Sequence, residues 1–140
     1  TFMDADDTFL SFISRRKDVD PNGYYDIVVH GTPKGIQITH NEQHIIVNHR
    51  TAARLIQNLD GYNGQPIRLL SCNTGLLDNG FAQNLANKLN TNVIAPTSYL
   101  WSKQNGSYFV AGLDNSKLPK MLPDMTNIGY FKPFTPGGNR

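Results

Sequence analysis

Residues 24–31, YYDIVVHG, decide how this chain folds. The unbroken Ile27-Val28-Val29 run is β-branched and bounded by Gly31, the pattern of a strand buried on both faces. It predicts a central parallel strand ending in His30-Gly31. Working outward, residues 35–38 (GIQI) and 44–47 (HIIV) alternate around Asn41-Glu42 and predict a β-hairpin. Residues 51–59, TAARLIQNL, put Ala52, Leu55, Ile56 and Leu59 on one helical face that Asp60-Gly61 closes. Residues 66–71, PIRLLS, form a second apolar strand running into Cys72-Asn73-Thr74-Gly75. Residues 78–89 then return to helical spacing at Phe81, Leu85 and Leu89, and residues 91–96, TNVIAP, predict a third strand. Parallel strands need crossover connections, so this alternation implies an α/β fold with helices on both faces of the sheet.

The flanks read differently. Residues 1–18 carry Phe9, Phe12 and Ile13 at helical spacing, acidic at the front and basic at Arg15, Arg16 and Lys17, an order that suits a helix dipole. Asp20-Pro21-Asn22-Gly23 is a turn. Beyond the third strand, residues 99–101 and 108–110 flank Asn105-Gly106 as a second hairpin. From Asp114 on, Pro119, Pro123, Pro133 and Pro136 predict an irregular tail laid across the domain and held by Leu118, Met121, Phe131 and Phe134. The expected organisation is one domain: residues 1–23 as helix and turn, 24–112 as α/β core, 113–140 as tail.

Composition narrows the function. At 140 residues, 39% hydrophobic and 17% charged, the chain has enough apolar content for one packed core. The excess of 13 Lys+Arg over 11 Asp+Glu is too small and scattered for a dedicated nucleic-acid binder. No apolar run approaches the roughly 18 residues of a membrane span, and the acidic start is not a signal sequence. The missing initiator Met suggests a piece of something longer. A single cysteine, Cys72, excludes an intrachain disulfide and leaves a small buried group or a reactive thiol. His40, His44 and His49 fall on a hairpin and a loop with only Glu42 nearby, so no metal is expected.

In parallel sheets, functional groups gather beyond the carboxyl ends of the strands. Two predicted strands end there in His30-Gly31 and in Ser71-Cys72. An imidazole, or the N-terminus of the following helix, can stabilise a thiolate, and the N–H groups of Gly31 and Cys72 could donate to a developing oxyanion. The pattern reads as a Cys-His dyad built from two strand ends.

A strand ending in His-Gly, followed one crossover later by a strand ending in Ser-Cys, resembles the caspase-like cysteine peptidases. It is most similar to the autoprocessing cysteine peptidase domains of large bacterial toxins. The run VVHG, IRLLSCNTG, FAQNLANKLNTNVIAPT also resembles C-terminal modules of bacterial polymorphic toxins, over roughly residues 24–112.

The resemblance implies a three-layer sandwich with a mostly parallel sheet, an inserted β-hairpin and the irregular Pro-rich tail. It implies Cys72 as nucleophile, His30 as general base, and Gly31 and Cys72 as oxyanion donors. An upstream aspartate would orient the histidine, with Asp26 the candidate carried forward and Asp18 and Asp20 as alternatives. Ser71, Asn73, Thr97, Ser98, Tyr99 and Trp101 would lie near the substrate. Relatives of this kind are switched on by an inositol polyphosphate on a basic surface; here Arg15, Arg16, Lys17, Lys34, Arg50 and Arg54 form only a loose set, and no cofactor is expected.

The function expected is a cysteine endopeptidase, a bacterial toxin or effector module, secreted or delivered into a target cell and acting in its cytosol. It would cleave a polypeptide substrate or its own parent chain. A carrier protein would precede it, and an immunity or inhibitor protein would oppose it. Two alternatives stand beside this: a thiol-dependent glutamine deamidase or acyl-transfer toxin using the same dyad, and a non-catalytic binding module.

Overall fold

The computed structural model describes residues 2, 3 and 7–137. In chain order, α1 (Thr8–Ile13) leads through a 3-10 turn at Pro21–Gly23 to β1 (Tyr25–Val28). Next come β2 (His30–Thr32), β3 (Gly35–His40), β4 (Gln43–Val47) and α2 (His49–Gln57). Then follow β5 (Ile67–Leu70), α3 (Phe81–Leu89), β6 (Val93–Pro96), β7 (Tyr99–Ser102) and β8 (Tyr108–Leu113). β9 (Pro123–Ile128) and β10 (Phe131–Phe134) complete the list.

The central sheet is mixed, in the order β1-β5-β6-β10, with the first three strands parallel and β10 antiparallel to β6. Strand alternation sends successive side chains to opposite faces. Ile27, Ile67, Leu69 and Val93 therefore face one core, packed with Ala52 and Ile56 of α2 and Phe81 and Leu85 of α3. Val28 and Leu70 face a smaller core with Ile13 of α1, Leu100 of β7 and Val110 of β8. The α/β reading of the sequence holds at this level, with α2 and α3 packed on one face and α1 on the other.

β1 is parallel to its neighbour, as predicted, but lies at the edge of the sheet rather than at its centre. Apolar side chains on both faces record a core above and below the strand; they carry no information about hydrogen-bonded neighbours in its plane. The first predicted hairpin is β3-β4, turning at Asn41 and Glu42, whose φ values of 51° and 64° make the two-residue turn that matches strand twist. The second is β7-β8.

The tail differs from the irregular segment expected. Residues 123–128 and 131–134 form paired strands, β9 on β8 and β10 on β6. Their prolines obey the rule for sheets: Pro123 opens its strand and Pro133 sits in an edge strand, where a missing N–H does no harm. Of the four residues expected to hold the tail, Phe134 is buried and Phe131 packs on the smaller core, whereas Leu118 and Met121 are largely exposed.

Candidate functional site

Register brings the two chemical groups together. In the β1-β5 pair Val28 lies opposite Leu70, and His30 and Cys72 each stand two residues further along their strands. Val29 N–H still donates to the Leu70 carbonyl at 3.2 Å, so the strands stay joined until the chain turns away at His30. Both side chains emerge at the same carboxyl edge and line one cleft of about 300 Å³.

The residue after the histidine must be glycine. A β-carbon on Gly31 would fall 2.6 Å from Thr74 Cγ2 and 2.7 Å from the Cys72 carbonyl oxygen, far inside contact distance. The His-Gly segment and the cysteine turn are thus pressed together. That turn is fixed from below by a 2.8 Å bond between the fully buried hydroxyls of Ser71 and Thr74. Asn73 adopts φ 62° there, a left-handed conformation its short polar side chain tolerates, and its N–H donates to the Ser98 carbonyl at 2.8 Å. Gly75 N–H donates to the Pro96 carbonyl, also at 2.8 Å. The loop bearing Cys72 hangs on the β6-β7 connection.

Cys72 sulfur accepts the Leu100 N–H at 3.4 Å and lies 3.7 Å from the Leu100 carbonyl oxygen, to which the thiol donates. Burial pushes this thiol above its ordinary pKa, and the bond from Leu100 only partly offsets that. Stabilisation by the following helix is absent for a simple reason: α3 begins at Phe81 rather than near Asp78, after an exposed loop, and its N-cap is Gly80 with no side-chain cap. The side chains of Asn73 and Thr74 do not cap it, although the Thr74 carbonyl accepts the Ala82 N–H at 3.3 Å.

The acid on His30 is Asp7. Its Oδ2 lies 2.6 Å from His30 Nε2, while its Oδ1 accepts the Leu10 N–H at 3.1 Å and caps α1. Burial works to raise the Asp7 pKa, but the bonds from His30 and Leu10 outweigh it and hold the carboxyl below its ordinary value. The Phe9 ring tilts against the imidazole at a centroid distance of 6.0 Å. With Asp7 ionised, Nε2 carries the proton of their hydrogen bond and Nδ1 keeps the free lone pair.

Asp26, the expected orienting residue, is committed elsewhere. It accepts from Arg16 at 2.9 Å and from Arg68 at 2.6 and 2.7 Å, and Arg68 also holds Asp18 at 2.9 Å. Asp20 sits in the turn before β1 with φ 55°. Asp7 was legible only as part of an acidic helix start; an aspartate directly before Thr8-Phe9-Leu10 is also an N-cap signal, and that places it at the end of α1.

Of the expected substrate-side residues, Trp101 and Tyr99 do line the cleft. Ser71 is fully buried beneath the turn, and Asn73 is turned onto the β6-β7 connection. Thr97 Oγ1 accepts the Tyr130 N–H, and Ser98 Oγ donates to the Ala111 carbonyl, so both serve the β-structure behind the cleft. Val29, Leu100 and Met121 line it instead.

A larger cavity of about 540 Å³ lies beside Arg16, Asp18 and Tyr108, whose polar ends are already engaged with Arg68, Asp26 and one another. Of the loose basic set only Arg16 and Lys17 line it; Arg15 donates to the Gln104 carbonyl and Arg54 to Thr51. Among the described residues no group of three His, Cys, Asp or Glu could hold a metal ion, and no helix is long and apolar enough to cross a membrane.

Over residues 1–110 the chain matches a family described as a domain of unknown function, DUF8616. No curated protein and no solved structure matches the chain.

Proposed function

The chain belongs to that family of unknown function, and from its site we propose that it is a cysteine endopeptidase of caspase-like type. The observation that carries the reading is the placement of Cys72 and His30 at one register position beyond two paired parallel strands, in one cleft, with Asp7 on the far nitrogen of the imidazole.

The chemistry follows from the protonation states. Cys72 rests as a neutral thiol, so its proton leaves as attack begins, passing to His30 Nδ1 while sulfur bonds the substrate carbonyl carbon. Asp7 holds the ring in the tautomer that can accept and steadies the imidazolium. The tetrahedral oxyanion takes the N–H groups of Gly31 and Cys72. On collapse the amine departs with the proton from His30, leaving a thioester, which a water activated by the same histidine hydrolyses. The His-Gly and Ser-Cys strand ends also support the caspase-like layering and, through the toxin-domain resemblance, a delivered bacterial effector acting in a target-cell cytosol.

The test is the alkylation of Cys72 by iodoacetamide across pH, with intact mass as readout, beside cleavage assays of a peptide library. We expect folded wild type to label at Cys72 with a rate that rises with pH, and His30→Ala to shift that profile. Library cleavage should vanish in Cys72→Ala and fall about 10²–10⁴-fold in His30→Ala. Labelling only after denaturation, with no Cys72-dependent cleavage, would make Cys72 a core thiol and the cleft a binding groove.

A further inference from the structure

Apart from the two groups the reaction uses and the phenol of Tyr99, the side chains lining the cleft are apolar. Phe9, Val29 and Leu100 wall it and Met121 stands at its rim. The one polar atom of Trp101 is spent, since Nε1 donates to the Ala111 carbonyl at 3.0 Å, and the indole offers the cleft only its ring. The carboxylate beside the chemistry, Asp7, is divided between His30 and Leu10. The buried charges Arg68 and Asp26 are paired with each other. A carboxylate or ammonium entering the cleft would lose water and meet no unpaired counter-charge among the described residues. An aliphatic or aromatic side chain would exchange water for close contact on several sides.

Two of these side chains come from outside both the β1-β5-β6 core and β7. Phe9 belongs to α1, and Met121 reaches the cleft from the segment between the 3-10 turn Asn115–Lys117 and β9, with 56% of its surface still exposed. Met121 is therefore free to bend over an occupant, as an unbranched thioether does well, and can be substituted without opening a hole in the core.

We infer that the cleft takes one uncharged apolar side chain, of leucine, methionine or phenylalanine size, from a polypeptide substrate, with Met121 as a specificity-determining residue. That this side chain belongs to the residue whose carbonyl Cys72 attacks rests on the peptidase reading above. A volume of about 300 Å³ is at the small end of ligand pockets and suits a single side chain rather than an extended ligand.

Trp101 is the only tryptophan, so its fluorescence reports occupancy without catalysis. The experiment titrates the Cys72→Ala chain with capped hexapeptides identical except at the third residue, which is Leu, Met, Phe, Ala, Asp or Lys. Wild type is then given the same peptides and the products weighed. We expect Leu, Met and Phe to bind at least about 10-fold tighter than Asp or Lys, and wild type to cut after that residue. Met121→Asp should weaken the apolar peptides and favour Lys. Cys72-dependent cutting that ignores the third residue, or prefers Asp or Lys there, overturns this inference and leaves the peptidase standing. Apolar-selective binding with no cutting keeps the pocket and overturns the peptidase. No fluorescence response to any peptide overturns the pocket.

Discussion

Asp7 does two jobs with its two oxygens, and they can be separated. Asparagine is as good an N-cap as aspartate, so Asp7→Asn keeps the bond to Leu10 and α1 while removing the negative charge from His30. The uncharged amide can donate as well as accept, and no longer selects the tautomer with its proton on Nε2. We expect kcat to fall at least about 10²-fold at little cost in stability, measured by peptide cleavage beside urea unfolding. The acid limb of stability should also change. Because the folded carboxyl sits below its ordinary pKa, its contribution is present above about pH 3.9 and is lost as pH falls through the depressed value. Asp7→Asn should flatten that part of the wild-type curve. An unchanged acid limb together with unchanged kcat would deny Asp7 any hold on His30.

At the scale of elements, the Arg68 network joins what hydrogen-bonded pairing leaves separate. Arg68 of β5 grips Asp26 of β1 and Tyr108 of β8, and reaches Asp18 on the chain between α1 and β1. Burial opposes the charge on Arg68, but the two carboxylates outweigh it and push its pKa up. Removing one partner of such a cluster strands the others in low dielectric. Arg68→Met should therefore destabilise by about 3–5 kcal/mol, read as a lowered urea midpoint. Tyr108 is pushed to about 12 by burial and by its bond to Asp18. A raised phenol stabilises the fold below its unfolded value near 10, and that contribution is lost as pH rises through 12. The loss of stability between about pH 10 and 12 should shrink in Tyr108→Phe. Neither partner was legible as such: Asp26 and Arg68 are 42 positions apart, and only the register that sets them opposite each other shows that Asp26 serves Arg68 and not His30.

Across the whole molecule, the sequence disclosed what depends on local periodicity. The three parallel strands, both hairpins and the α2 and α3 faces follow from spacings of two and of three to four residues, and the strand-end rule singled out His30 and Cys72. What it did not disclose depends on distant pairing. The edge position of β1, the capture of residues 131–134 by β6, and the arrival of Phe9 and Met121 at the cleft leave no periodic trace in the chain. Prolines in residues 119–136 suggested irregularity because proline is usually a breaker, yet at strand starts and sheet edges it is not. Phe134 measures how far this late strand belongs to the core, being 3% exposed among Val93, Ala95 and the α3 residues. Phe134→Ala should cost about 3–5 kcal/mol by thermal or urea unfolding, and a negligible change would show β10 to be an ornament on the sheet.

The sulfur of Cys72 is fastened to the main chain of Leu100, taking its N–H and giving its own hydrogen to its carbonyl. That amide cannot trade its hydrogen for deuterium until the sulfur lets go. Isotope uptake at Leu100 would then keep time for the thiol, a clock in the backbone that runs only while the sulfur is unbuttoned. On the peptidase reading, peptides that occupy the cleft and loosen this contact should make it run faster, before any bond in them is broken.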